Sequence, residues 1–219
     1  MLSAKNLKTY WSNVRYFSLI ILLFLSCDSP EPIEAGTVSG KTYENTSYGI
    51  KIDLPVGWSI IADHETMKLQ GGGSEYKQKW ERASAKTLVA AYKFADADMS
   101  GVGINSNISI HTEHIPLRSD VKTAKDYIPH YKRALQAHQV AYTFLEEEEG
   151  LFSSDVQTET VDVEFETSGI KVRKKSFFMM YGRSLLNVSL TWKKGDQDTF
   201  FKLIKAYRSI QLNQLKLNK

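Results

Sequence analysis

The stretch from Val161 to Trp192 constrains the fold more than any other part of the chain. In "VDVEFETSGIKVRKKSFFMMY" two runs of strand-forming residues flank a Ser-Gly pair, and Val161, Val163 and Phe165 fall on one face. "GRSLLNVSLTW" follows a second tight turn and aligns Leu186, Val188, Leu190 and Trp192. Strands joined by turns this short pair antiparallel, and the sheet must cover at least one apolar face with other elements.

The flanking sequence supplies more strands and two helices. In "YGIKIDLP", Tyr48, Ile50, Ile52 and Leu54 alternate with Gly49, Lys51 and Asp53, the period of a half-buried strand. "PVGW" makes a turn through Pro55 and Gly57, and "WSIIA" resumes extended. "KTLVAAYKFA" and "SNISIHTEHI" read as two further strands, and "VAYTFLE" as another. Between them, Val121, Ala124, Tyr127, Ile128, Tyr131, Leu135 and His138 recur at helical spacing, with Ser119 or Asp120 as the expected cap. Pro129 predicts a kink there, or two short helices. "DQDTFFKLIKAYRSI" closes the chain as an amphipathic helix through Phe200, Ile204 and Tyr207. The fold class is therefore α+β: a mainly antiparallel sheet with a central helical segment and a C-terminal helix. It is expected as a single domain over residues 43–212, followed by a tail at 213–219.

The N-terminus has a different character. Fifteen polar and basic residues precede "YFSLIILLFL", an apolar run too short to span a bilayer but suited to the core of a secretory signal peptide. The one cysteine of the 219 residues, Cys27, comes directly after it, so no disulfide can form within the chain. "FLSC" resembles the lipobox of bacterial lipoproteins, in a looser form than the tightest pattern because Phe24 and Leu25 depart from it. The resemblance implies a signal peptide over residues 1–26, cleavage between Ser26 and Cys27, and a diacylglyceryl group with palmitate-type acyl chains on the cysteine sulfur. The alternative is an unmodified cysteine beside an ordinary signal peptide or a membrane anchor. Residues 27–42, rich in Pro, Ser, Gly, Thr and acids, read as the lipidated cysteine and a flexible tether.

Charge narrows the partners. The 28 basic and 25 acidic residues leave +3, and all three surplus cations, Lys5, Lys8 and Arg15, precede Cys27. A mature chain would be formally neutral, which argues against nucleic acid as a partner.

"YENTSYGIKIDLPVGWSI" resembles the opening of PsbP-like domains, and "LLNVSLTW…FFKLIKAYRSIQL" resembles their end. That resemblance implies an α/β/α sandwich, the fold of the PsbP subunit of photosystem II, of a Ran-binding nuclear import factor and of many bacterial lipoproteins. It carries no shared catalytic motif.

Site-forming chemistry is sparse. His111 and His114 lie three apart in a strand and face opposite sides, so they do not share a metal ion, and His114 keeps company with Ile108 and Ile110. His130 and His138 sit about two turns apart on the helical stretch. Glu146 to Glu149 lack the spaced ligands of a calcium loop and read as a solvated strand end. No Gly-x-Ser-x-Gly occurs, and "GGGSEYK" lacks the Lys-Ser/Thr ending of a phosphate loop. Arg173 to Lys175 face an acidic strand and are expected to pair with Asp162, Glu164 or Glu166. Trp58 and Trp192 read as core, and Trp80 as a candidate contact surface. No metal, cofactor or catalytic residue is assigned, and no enzyme is expected.

These readings converge on a lipid-anchored, extracytoplasmic accessory or assembly protein of the bacterial cell envelope, with the outer membrane favoured. Its partner would be an envelope protein. A small-ligand carrier or sensor is the alternative, and an envelope hydrolase a third.

Overall fold

The structure, a computed structural model, describes residues 36–62, 85–95, 104–116, 118–138, 140–146 and 158–212. Eleven strands and two helices are assigned among them. A small antiparallel sheet takes β1 (Thr37–Ser39), β2 (Thr42–Asn45), β3 (Ile50–Asp53) and β11 (Gln211–Leu212), in the order β1-β2-β3-β11. A large antiparallel sheet takes β4 (Ser59–Ile61), β5 (Ala85–Tyr92), β6 (Asn107–His114), β7 (Thr143–Phe144), β8 (Glu159–Thr167), β9 (Ile170–Tyr181) and β10 (Ser184–Lys193). Its order is β4-β5-β6-β10-β9-β8-β7. The helices are α1 (Ala124–Gln136) and α2 (Gln197–Arg208).

The meander forms as its sequence requires. Ser168 at φ 50° and Gly169 at φ 74° make the two-residue turn between β8 and β9, a backbone twist that suits a hairpin. On β9, alternation sends the fully buried Phe177 and Phe178 to opposite faces of the sheet. Phe177 joins Met179, Val188, Leu190 and Trp192 in a core shared with the small sheet and α2, where its ring stacks on Tyr207 at 4.0 Å. Phe178 joins Val161, Val163 and Leu185 in a second core beneath Leu135 and Val121, flanked by Tyr127, Ile128 and Tyr131 of α1. The layers are thus α1, the large sheet, then α2 beside the small sheet. The fold is α+β.

Two details depart from the sequence reading, and a third decides against one of its alternatives. The first strand begins at Thr37, inside the stretch assigned to the tether. Gly36 already packs against the Tyr43 ring so closely that a Cβ there would lie 2.5 Å from it. The cap of α1 is Thr123, not Ser119 or Asp120: Thr123 Oγ1 accepts the Asp126 N–H at 3.3 Å, and Asp126 Oδ2 accepts the Thr123 N–H at 2.8 Å. Ser119 Oγ instead accepts the Val121 N–H at 3.1 Å. Finally, α1 runs as one helix through Pro129 rather than as two short ones. Its apolar face on β8 and β9 offsets the hydrogen bond that proline forfeits.

The remaining elements match more closely. Tyr48, Ile50, Ile52 and Leu54 are all buried, as their alternation requires. "VAYTFLE" contributes only the two residues of β7, and β11 is an added short strand beyond α2.

Candidate functional site

The face of the large sheet that meets α1 is chemically split. Under the helix it presents Val161 and Val163 from β8, Phe178 and Met180 from β9, and Leu185 from β10. Beyond the helix, β10 and β6 turn polar on the same face. Asn187, Ser189 and Thr191 stand opposite His111, Ser109 and Asn107 in register. Glu113 of β6 and Thr87 of β5 extend the patch, Thr87 paired with His111. A second helix of ordinary amphipathic character would not cover this half, because burying so many polar groups costs free energy unless each is hydrogen-bonded.

Thr87, His111, Ser109, Ser189 and Asn187 are hydrogen-bonded in two short chains, and Asn107 Nδ2 donates to Asn105 O at 3.0 Å. Thr87 Oγ1 lies 2.9 Å from His111 Nδ1, and His111 Nε2 lies 2.8 Å from Ser109 Oγ. From α1, Tyr131 OH lies 3.0 Å from Ser176 Oγ, which lies 3.0 Å from Ser189 Oγ. Ser189 Oγ donates in turn to Asn187 Oδ1 at 2.8 Å. The chains run side by side where Ser189 stands opposite Ser109. The helical wall supplies Tyr127, whose hydroxyl donates to Glu113 Oε2 at 2.7 Å. Lys174 Nζ lies 5.9 Å from the Tyr131 ring centre.

Electrostatics fix the protonation states. Burial, reinforced by the positive charge of Lys174, pushes the His111 imidazole down to about 4, so it is neutral at neutral pH. One ring nitrogen then donates and the other accepts, which satisfies both hydroxyl neighbours. Burial, with the Glu113 carboxylate beside it, pushes the Tyr127 hydroxyl up and keeps it protonated.

The Ser109–His111–Thr87 arrangement has the reach of a nucleophile and base but not the chemistry. A base that protonates near 4 draws a proton from serine weakly at pH 7, and Thr87 carries no charge to stabilise an imidazolium. The patch offers neutral donors and acceptors, with one cation and one carboxylate at its margins.

Other candidates resolve separately. His111 and His114 face opposite sides, as alternation requires. His130 Nε2 lies 3.5 Å from Asp120 Oδ2 and its Nδ1 3.1 Å from Arg133, while His138 meets Tyr142 edge-on at 6.4 Å. Arg173 bonds Asp162 at 2.8 Å and Lys175 lies 3.8 Å from it, the expected cross-strand pairing. Glu164 instead takes Lys194, at 2.6 Å. Trp58 and Trp192 are buried. Ser26, Cys27, Gly71 to Gly73, Trp80 and Glu147 to Glu149 lie outside the described residues. Among the described residues, no three His, Cys, Asp or Glu side chains come close enough to hold a metal ion. A shallow cleft of about 400 Å³ on the small sheet is lined by Glu44, Asn45, Lys51 and Gln211, with Glu44 and Lys51 paired across the strands.

The sequence carries a signal of this polar patch that the apolar pattern masks. Asn107, Ser109, His111 and Glu113 occupy every second position of one strand, and Asn187, Ser189 and Thr191 do so in another.

No family model matches the chain, and no curated protein matches it. Among solved structures it is similar to the solution structure of cyanobacterial PsbP (CyanoP) from Synechocystis sp. PCC 6803. The identity is 14%, the TM-score 0.45, and the match covers 84% of this chain and 100% of that one.

Proposed function

We propose that the chain is a lipid-anchored accessory protein of a bacterial cell envelope, in which Cys27 carries the anchor and the α+β domain binds rather than catalyses. The observation that carries this reading is the sequence "FLSC", which ends an apolar run of signal-peptide length and places the only sulfur nucleophile of its kind at the cut. Acyl chains on that sulfur would gain about 0.8 kcal/mol per buried methylene, and more than one chain gives a stable anchor. Holding the domain near its partner raises the effective concentration, so modest contacts suffice. The partner is an envelope protein, and the outer membrane is the favoured site.

Intact mass of the mature N-terminus tests the anchor: a chain beginning at an acylated Cys27 is expected, and an unacylated start or one at Met1 overturns it. C27A should leave the membrane fraction or accumulate unprocessed. Crosslinking in native membranes tests the accessory role, with recovery of one defined envelope complex expected and none counting against it.

The polar patch around His111 favours a second reading, a small-ligand carrier or sensor. Its neutral hydroxyl, amide and imidazole groups suit an uncharged, hydroxyl-bearing ligand, not a lipid chain that would strip them of water. Native mass spectrometry of protein from its own host would reveal such a cargo, and H111A should release it.

A further inference from the structure

We infer that the outer face of α2 docks onto an anionic phospholipid bilayer. The helix buries Thr199, Leu203, Ile204, Ala206 and Tyr207 and turns Phe201, Lys202, Lys205 and Arg208 outward. Phe201 is 64% exposed, the only phenylalanine among the described residues with most of its surface in water. Phe201 and Lys205 are one turn apart and Arg208 follows on the same side, so an aromatic ring stands among cations. The one acidic side chain on this face, Asp198, lies in the first turn, one turn before Phe201 and Lys202 and two or more turns before Lys205 and Arg208. A phenylalanine ringed by lysines on an exposed helical face matches the interfacial pattern, in which the ring enters the headgroup boundary and the cations meet lipid phosphates.

The alternative surface is α1, which also exposes Lys125, Lys132 and Arg133. Its Tyr127 and Tyr131 rings are half-buried against Phe178, however, and Asp120 and Asp126 interrupt its positive charge. It lies on the other side of the large sheet, so one flat bilayer meets α1 or α2 but not both.

Chain length brings the domain to the surface. This step alone rests on the anchoring reading above. From Cys27 to Thr37 the chain has ten residue steps, a reach of at most about 35 Å. A compact domain of this size is roughly 40 Å across. Such a tether would keep the domain within its own diameter of the bilayer. Thr37 enters through the small sheet, which lies on the same side of the large sheet as α2.

The test places a reporter on the face itself. The full chain with F201W is mixed with phosphatidylglycerol–phosphatidylcholine vesicles whose phosphatidylcholine carries brominated acyl chains, and its emission is compared with that of the wild-type chain. Docking requires emission at the substituted position to shift to the blue and be quenched, much less so without phosphatidylglycerol. K202E/K205E should lower the docked fraction at least about tenfold, from the attraction each lysine loses near an anionic surface. Emission unchanged from buffer while the protein floats with the vesicles overturns the inference, as does equal quenching in uncharged vesicles or protection by a protein partner alone. Failure of the anchor is read separately, from the mass of the N-terminus, because quenching at position 201 reports this face whatever holds the chain at the surface.

Discussion

Ser209 and Asp53, 156 residues apart, are joined by a hydrogen bond in which Ser209 Oγ accepts the Asp53 N–H at 2.8 Å. The same hydroxyl donates to Ala206 O at 2.7 Å. One side chain thus caps the end of α2 and fixes it to β3, tying the last helix to the first sheet. S209A removes both bonds and leaves a half-buried backbone N–H unpaired. A loss of about 1–2 kcal/mol is expected, read as a lower urea midpoint at unchanged slope. A change below a few tenths of a kcal/mol would show that water replaces the hydroxyl.

The other end of α2 is held by charge. Lys93 Nζ reaches Asp196 Oδ2 at 2.9 Å and Thr199 Oγ1 at 2.8 Å, while Asp196 Oδ1 accepts the Thr199 N–H at 3.1 Å. Burial opposes ionisation of Asp196, but the bonds from Lys93 and Thr199 outweigh it and bring the carboxyl down to about 2 from its ordinary 3.8. The folded value is the lower one, so this contribution is complete above about pH 5 and is lost as pH falls through 3.8 toward 2. With solvent screening it amounts to about 1 kcal/mol. D196N should flatten that part of an unfolding-free-energy profile between pH 6 and pH 2; an unaltered acid limb refutes the assignment.

Much of this architecture can be read from alternation and turn chemistry, because those signals are local. The Ser168–Gly169 turn, the apolar stripe Leu186 to Trp192 and the buried side of Tyr48 to Leu54 need only the period of two. What escapes is set by the partner an element meets, not by its own pattern. Thr37 to Ser39 carry no apolar alternation and are exposed, so only their pairing with Thr42 to Glu44 makes them a strand. Thr123 and Ser119 are equally good caps on paper, and the choice depends on where α1 meets β8. The polar patch is encoded residue by residue on β6 and β10, but a sequence does not reveal that these two strands are neighbours or that α1 covers only one end of them.

Pro129 supplies a direct measure of how far packing overrides local preference. It is the sixth residue of α1, faces solvent, and cannot donate to the Lys125 carbonyl. P129A restores the donor with a better helix former. Stabilisation of about 1–3 kcal/mol is expected, the helix gain less the added freedom of the unfolded chain. Thermal unfolding checks it, and an unchanged or lower midpoint would mean that the ring itself contributes to the packing of α1.

His111 gives the most specific pH signature. Burial first, and Lys174 second, lower its imidazole to about 4 from an ordinary 6.5, and the hydrogen bonds to Thr87 and Ser109 are those of a neutral ring. The unfolded chain takes up the proton near 6.5 while the folded one refuses it until about 4. This part of the stability is therefore fully present above 6.5 and declines as pH falls from there to about 4, a window above that of Asp196. Imidazole carbon shifts followed by NMR should stay at neutral-ring values down to about pH 5. H111Q, which keeps one donor and one acceptor, should remove the loss of stability between 6.5 and 4 and leave the Asp196 limb in place. Titration of His111 near 6.5 would mean that Lys174 and the surrounding chain leave the ring open to water, and the neutral hydrogen-bonded patch would then have no electrostatic basis.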